Sequence, residues 1–448
     1  MNEKTDILLL GATGYTGGLI TRYLSVHPQR AHFSLALGAR SADKLKKFAQ
    51  ELGLSGSVKF VQVDVTKEDE VEAAVKSTRV VINTVGPYWL WGTPVVRSCV
   101  RNGVHYVDLT GETTFIRRII TEFDYFATKT GSIIVPACGF DSIPSDITAY
   151  LANKTLKSLG PTPTGEYLAA GESTSAVMTV GGVSGGTVAS MMVALEAVPK
   201  NETKESMLPY SISPFIGLKT QPFRFLYNLV IPGSKTLTGG HWVMAASNKA
   251  IVERSFGLLE IQNLTAKNKD SQIARYGPQF SYHEFMVTSG AVSAIVLTAT
   301  LLIGFGLLLV KPIRHVAKAF LPKSGDGPTD EDMQKGFLKM TNITTSTSSP
   351  SLKVETVIKG KGDPGYLLTA IMISESALCF LLPPVSESSK IQPGKIGNIH
   401  SLPPLAQKGG VLTPVTAFGD VLIQRLEESG RFEFSSSVVN DAIHKKDA

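Results

Sequence analysis

The chain predicts an α/β protein: an N-terminal doubly wound parallel sheet, then an α+β second domain with one long apolar helical segment. Three observations carry that prediction. The glycine-rich run GATGYTGG, residues 11–18, directly follows the apolar stretch 7–10. Strand-like and helix-like segments then alternate with short connections to about Ala149, the pattern of parallel strands with helical crossovers. Finally, residues 285–310 contain no charged side chain.

Residues 7–10 read as a strand that breaks into glycines and resumes as a helix over 19–24. Such a turn holds a pyrophosphate. Gly11 permits the tight turn, Gly14 lets the backbone approach the phosphates, and Gly17 lets helix and strand pack closely. Thr13, Tyr15 and Thr16 complete the loop, and the helix N-terminus adds unpaired N–H groups and a positive dipole end. The spacing G-x-x-G-x-x-G is a close variant of the dinucleotide fingerprint, so the N-terminal sheet is read as Rossmann-type.

Further strands are predicted at 33–38, 58–63, 80–84, 104–107 and 133–136, and helices at 43–52, 68–77, 94–102 and 113–129. Right-handed crossovers put every strand's C-terminal end on one edge. The second strand, LALGARS, ends in Arg40 with no acid before Asp43. An arginine there can pair with the extra phosphate of NADP, whereas NAD favours a carboxylate, so the cofactor read here is NADP. The bland alternative is a solvated arginine at the start of the next helix. Asp64 either accepts from the adenine amino group or caps the helix that follows.

The fourth strand ends in NTVGPY. Asn83, Val85 and Gly86 are placed along the second phosphate and nicotinamide ribose, with Pro87 and Tyr88 turning toward the substrate. HYVDLTGE adds Asp108, Thr110 and Glu112, and CGFDSIPSD adds Asp141, Ser142 and Asp146. Three polar loops so converge on one edge, although each residue alone could be a turn former. Tyr88 and Asp141 are the candidates for proton transfer. Tyr125 and Lys129 form Y-x-x-x-K, but about three turns into their helix, roughly 18 Å toward the opposite edge.

Composition narrows the classes. A chain of 448 residues accommodates two or three domains. The net charge of +6 comes from scattered lysines and arginines, which gives no nucleic-acid signal. Three dispersed cysteines and eight isolated histidines supply no disulfide framework and no metal site. The polar N-terminus runs straight into the first strand, so neither a signal peptide nor secretion is expected.

Residues 285–310 would reach roughly 39 Å as a helix, against a bilayer core of about 30 Å, while their aliphatic half, 295–310, reaches about 24 Å. A membrane-embedded hairpin or monotopic anchor is preferred, because a full span strands the last quarter of the chain across the bilayer. A span and a buried core helix are the alternatives. Lys311, Arg314, His315 and Lys318 follow as a basic flank. Lys445 and Lys446, near the C-terminus, add a weak hint of endoplasmic reticulum retrieval.

The expected organisation is 1–150 as NADP-binding domain, 151–284 with 351–448 as the α+β closure domain, 285–322 as membrane-associating segment, and 323–350 as polar linker. Taken in order, GATGYTGG, LALGARS, NTVGPY, HYVDLTGE, CGFDSIPSD, SGGT, GDPGY and TPVTAFGDVLIQRLEESG resemble the saccharopine dehydrogenase-like oxidoreductases. Mycobacterial trans-acting enoyl reductases, which reduce a carbon–carbon double bond in lipid precursors, are similar too. The resemblance implies an NADP-dependent oxidoreductase whose second domain closes over the nicotinamide, associated with lipid droplets or other membranes. The apolar segment, and the lack of arginines able to clamp two carboxylates, separate this chain from the soluble lysine-pathway enzymes. The expected substrate is apolar or acyl-like, and the expected location is the cytosolic face of a membrane, lipid droplet or endoplasmic reticulum. A homodimer is compatible with the sequence. The alternative is a catalytically silent NADP-binding scaffold or redox sensor on a lipid surface.

Overall fold

The computed structural model describes residues 4–54, 56, 58–182, 184–218, 222–320, 325–391 and 397–439. Lys445 and Lys446 lie outside them. The first elements are β1 (Thr5–Leu10), α1 (Tyr15–Ser25), β2 (Leu35–Ala39), α2 (Ala42–Glu51), β3 (Lys59–Gln62), α3 (Glu68–Lys76), β4 (Thr78–Asn83), α4 (Tyr88–Asn102), β5 (His105–Asp108), α5 (Thr113–Thr130), β6 (Ile133–Val135) and α6 (Ile143–Ser158). Every residue of β1 is buried, as expected of a parallel strand with helices on both faces. Leu8 and Leu10 pack among Val81 and Phe115 on one face, and Ile7 and Leu9 pack among Ile20 and Ile82 on the other. The strand order β3-β2-β1-β4-β5-β6 reverses between β1 and β4. That is the topological switch point where such sheets bind ligands.

The chain continues through β7 (Ala170–Val180), α7 (Gly185–Glu196), α8 (Lys200–Ser206), β8 (Tyr227–Leu229), β9 (Leu237–Gly240), α9 (Ala245–Ala266), α10 (Lys269–Ala274), β10 (Ser281–Val287), α11 (Ala291–Leu309), α12 (Lys311–Lys318) and α13 (Asp330–Lys335). It ends with β11 (Phe337–Ser346), β12 (Lys353–Lys361), α14 (Thr369–Cys379), β13 (Gly410–Val411), α15 (Pro414–Glu428) and β14 (Phe432–Val439). A second, mixed sheet runs β14-β12-β11-β7-β10-β9-β8, with β10 parallel to β7 and β11 antiparallel to it.

The structure corrects the expected organisation in three places. Residues 337–346, expected inside a polar linker, form β11, which lies between β12 and β7. Its polar sequence reflects a buried hydrogen-bond network: Asn342 Nδ2 donates to Ser173 and Ser175, both at 2.9 Å. Residues 242–246, WVMAA, whose apolar run reads on its own as a strand, form a turn leading into α9. Nor does the last quarter belong to the second domain alone. β13 extends the first sheet beside β6, and α14 and α15 join its core through Ile371, Leu378 and Phe418. They are tied there by buried Glu375, which accepts from Arg425 Nε at 2.7 Å and lies 3.0 Å from His27 Nε2. Burial raises the Glu375 pKa, but the Arg425 charge and the His27 and Tyr23 hydrogen bonds outweigh it, so its carboxyl is held below the usual range.

The uncharged stretch divides between β10 and α11. Only Ala294 and Thr298 of the 19 residues in α11 are buried, and its mean hydropathy is 2.4. Its start follows directly from β10, held in the second sheet, and two turns in Thr298 Oγ1 donates to Phe225 O at 3.1 Å and accepts from His241 N at 2.9 Å. Beyond its far end, Arg314 of α12 donates to Glu196 of α7 at 3.0 Å. Both ends of the apolar helix are therefore tethered to one folded body.

Candidate active site

The glycine loop occupies the switch point, and its geometry requires glycine at two positions. Gly11 has φ +83°, and a Cβ there would sit 2.6 Å from Thr84 Oγ1. A Cβ on Gly17 would sit 2.2 Å from Gly11 O, so α1 leaves β1 at a distance no side chain permits. Gly14 and Thr13 are exposed, and a Cβ on Gly14 would meet only Gly11 O, at 3.2 Å. This is an open cradle with the α1 N-terminus on one side, which fits a dinucleotide pyrophosphate. Thr16 and the amide of Tyr15 lie at that N-terminus. The Tyr15 side chain turns away from it: its hydroxyl donates to Pro328 O, and its ring packs edge-on to Tyr366 at 5.2 Å. Its side chain thus fastens the loop to the second domain, while its backbone stays at the α1 N-terminus.

Arg40 is exposed just beyond β2, close enough to Asp64 to help hold that carboxyl below its usual pKa. The larger causes there are hydrogen bonds from the Thr66 amide and hydroxyl. Asp64 Oδ1 accepts both, at 3.0 and 2.8 Å. The N-cap of α3 is Lys67, so Asp64 closes a turn rather than capping the helix. It lines the same end of the crevice as Arg40.

After β4, buried Asn83 donates to the Tyr106 hydroxyl at 3.1 Å and accepts from Val85 N at 3.0 Å. This holds the Val85–Gly86–Pro87 turn beside the glycine loop. Gly86 is exposed, and a Cβ on it would lie 3.7 Å from Ser190 Oγ of α7, so the second domain closes over this turn. Glu112 accepts from the amides of Tyr88 and Trp89 at 2.9 and 2.7 Å and from Ser190 Oγ at 2.8 Å. That carboxylate at a helix N-terminus is favourable, and it starts α4 at Tyr88 rather than at Pro94, where the sequence suggested.

The earlier start changes the role of Tyr88. Its ring is buried against Phe115, with centroids 5.7 Å apart, and its hydroxyl donates to Asn83 O at 2.9 Å. Burial pushes that hydroxyl far above its usual pKa. Tyr88 is a core residue under the turn, not a proton donor facing the crevice.

The acids of the other two loops also separate. Asp108 is fully buried and accepts from Thr110 N and Ala137 N, both at 3.0 Å, and from Tyr106 Oη at 2.8 Å. Asp146 is likewise committed to Ser255 Oγ and Val415 N. Asp141 is different. Among the described residues no group donates to it, and burial alone pushes its carboxyl up to about 6. A Cβ on Gly111 would lie 3.2 Å from Asp141 Oδ2 and 3.3 Å from the Met244 methyl. Phe140, the preceding residue, packs against Trp242 with centroids 6.2 Å apart. A partly buried acid in the loop after β6 therefore lies among apolar side chains of residues 242–244.

The apolar wall of 242–244 escaped the sequence reading because HWVMAAS reads as a strand. The GDPGY block anchors the loop before α7. Asp363 accepts from Gly182 N at 2.6 Å and Tyr366 N at 2.9 Å, fixing the start of the α7 loop. Tyr125 is exposed near the end of α5, with Lys129 Nζ 5.0 Å from its ring centroid, far from these loops.

Residues 7–158 match the family model for the saccharopine dehydrogenase NADP binding domain. Over 449 residues the chain is 30% identical to Rv2449c of Mycobacterium tuberculosis, named a candidate trans-acting enoyl reductase, covering 96% of each. It is 29% identical over 447 residues to a trans-acting enoyl reductase of Mycobacterium bovis, covering 96% of this chain and 97% of that one. Saccharopine dehydrogenase (L-Glu forming) from Saccharomyces cerevisiae superimposes with a TM-score of 0.46 at 11% identity, covering 97% of this chain and 100% of that one. The cradle, the matched domain and the full-length relatives agree: this chain belongs to the saccharopine dehydrogenase-like family of NADP-dependent oxidoreductases.

Proposed function

We propose that the protein reduces the double bond of an apolar, acyl-type substrate at a membrane or lipid-droplet surface, with Asp141 as proton donor. The observation that carries the reading is the Asp141 carboxyl, which accepts no hydrogen bond among the described residues and lies beside Gly111 close to the Met244 methyl. The relatives named for enoyl reduction support the reaction class. Bound NADPH supplies a hydride. Reducing a double bond conjugated to a carbonyl then requires one proton at the carbon next to that carbonyl, and a carboxyl with a pKa near 6 both holds and releases a proton near neutral pH. Gly11, Gly14 and Gly17 form the pyrophosphate cradle, Arg40 faces the ribose phosphate, and the Asn83–Val85–Gly86–Pro87 turn lines the nicotinamide ribose. Phe140, Trp242 and Met244 keep water from the reacting end.

The surface reading rests on α11. A helix of 19 residues is about 28 Å long, but both of its ends are held by the same folded body. It therefore lies in the interface with its exposed aliphatic side among acyl chains, rather than crossing the bilayer. His241, which bonds to Thr298 of α11, adjoins Trp242 of the apolar wall, so the substrate wall and the inserted helix are one neighbourhood. The test is NADPH oxidation with 2-enoyl thioesters of increasing chain length, with and without neutral vesicles. Turnover should rise with chain length and with vesicles; equal rates on short, soluble substrates without vesicles would overturn the reading.

A further inference from the structure

Beyond the far end of α11, residues 195–200 and α12 enclose an open groove of about 840 Å³. Four of its lining side chains are cationic, Lys200, Lys311, Arg314 and Lys318, and one, Glu196, is anionic; His315 also lines it. Arg314 and Lys318 are committed to Glu196, at 3.0 and 2.8 Å. Lys200 and Lys311 are exposed and have no ion-pair partner among the described residues. The first turn of α12 opens with Lys311 and Pro312, without an acid or a side-chain cap, so the positive end of the helix adds to the charge of the groove.

The groove is continuous with apolar surface. Ile313, Val316 and Phe320 are 40%, 59% and 84% exposed; the first two share one side of α12, away from buried Arg314, and Phe320 follows just beyond its end. Together with α11 they form an apolar face with a cationic hollow at its edge. A basic pocket beside an interfacial helix is complementary to a phosphate-bearing headgroup whose acyl chains lie on the apolar face.

We propose that this groove binds the headgroup of an anionic phospholipid, with Lys200 and Lys311 as its unpaired cations. The proposal rests on α11 lying in a lipid surface, and it adds a second, charge-selective contact that orients the protein there. The experiment is flotation of the full chain with phosphatidylcholine vesicles, with and without about 20 mol% phosphatidylserine, for the wild type and for Lys200→Glu/Lys311→Glu. NADPH binding reports that the variant is folded.

The wild type should bind neutral vesicles and gain affinity with phosphatidylserine, by about fivefold for each unpaired lysine. The variant should bind neutral vesicles as the wild type does and lose that gain. A variant that keeps the gain, or a wild type that binds neutral vesicles without one, overturns the headgroup site alone. A wild type that binds neither vesicle overturns the surface reading as well. Loss of the gain in millimolar glycerol phosphate, at constant ionic strength, would mark a site for soluble phosphates and overturn the lipid assignment.

Discussion

Asp141→Asn separates what this carboxyl does for catalysis from what it does to the fold. Burial raises its pKa from 3.8 to about 6, which corresponds to about 3 kcal/mol between its protonation states. The folded protein holds a proton that the unfolded chain releases. The associated stability is fully present below about pH 4 and is lost as pH rises through about 6. Asparagine keeps the shape and never ionises. In urea titrations the variant should therefore match the wild type near pH 4 and exceed it by up to about 3 kcal/mol above pH 7, the upper limit for a partly exposed group. Other buried acids, such as Asp108 and Asp146, titrate in both proteins and cancel. In the same variant the reductase rate should fall by roughly 10²–10⁴-fold, and the wild-type increase in rate as pH falls toward 6 should disappear. A variant no more stable at pH 8, with the rise in rate toward pH 6 intact, would refute the assignment of both the environment and the proton.

Two further outcomes test the cofactor site and a third tests the assignment of Tyr88. Arg40→Asp should weaken NADPH binding about 10–100-fold, the loss of one charge-assisted contact with added repulsion, while leaving NADH nearly unchanged; equal effects in a fluorescence titration would remove Arg40 from the phosphate. Gly17→Ala puts a methyl 2.2 Å from Gly11 O, so NADPH affinity should collapse together with a drop in melting temperature. Tyr88→Phe removes a hydroxyl that donates to Asn83 O. It should cost about 1 kcal/mol of stability and leave the pH profile of reduction unaltered, whereas loss of turnover in folded protein would restore Tyr88 as a proton donor.

What the sequence made legible was local. The G-x-x-G-x-x-G loop and the alternation of segments specify the first sheet because each depends on neighbouring residues, and the loop after β4 follows from the same crossover rule. The misses depend on distant partners. The turn before α4 is capped by Glu112, from the next loop, so Tyr88 became helical and buried. In α9, Glu253, Arg254 and Glu260 are all buried, and Arg254 donates to Ile212 O at 2.6 Å. A helix so surrounded has no apolar stripe to read. β11 is polar because its partners across the sheet are Ser173 and Ser175. Asp141 is a proton-transfer candidate from its loop alone, but what separates it from the structural Asp108 and Asp146 is their partners: among the described residues both of those accept hydrogen bonds and Asp141 accepts none.

The most direct measurement is hydride transfer itself: NADPH carrying deuterium at the transferred position, incubated with long-chain 2-enoyl thioesters and vesicles, with the products read by mass spectrometry. The account predicts one deuterium on the carbon distal to the carbonyl, one solvent proton on the carbon next to it, and one NADP⁺ for each saturated product. NADPH that binds yet reduces no enoyl, aldehyde or imine compound under these conditions would contradict it and leave a cofactor-bound scaffold.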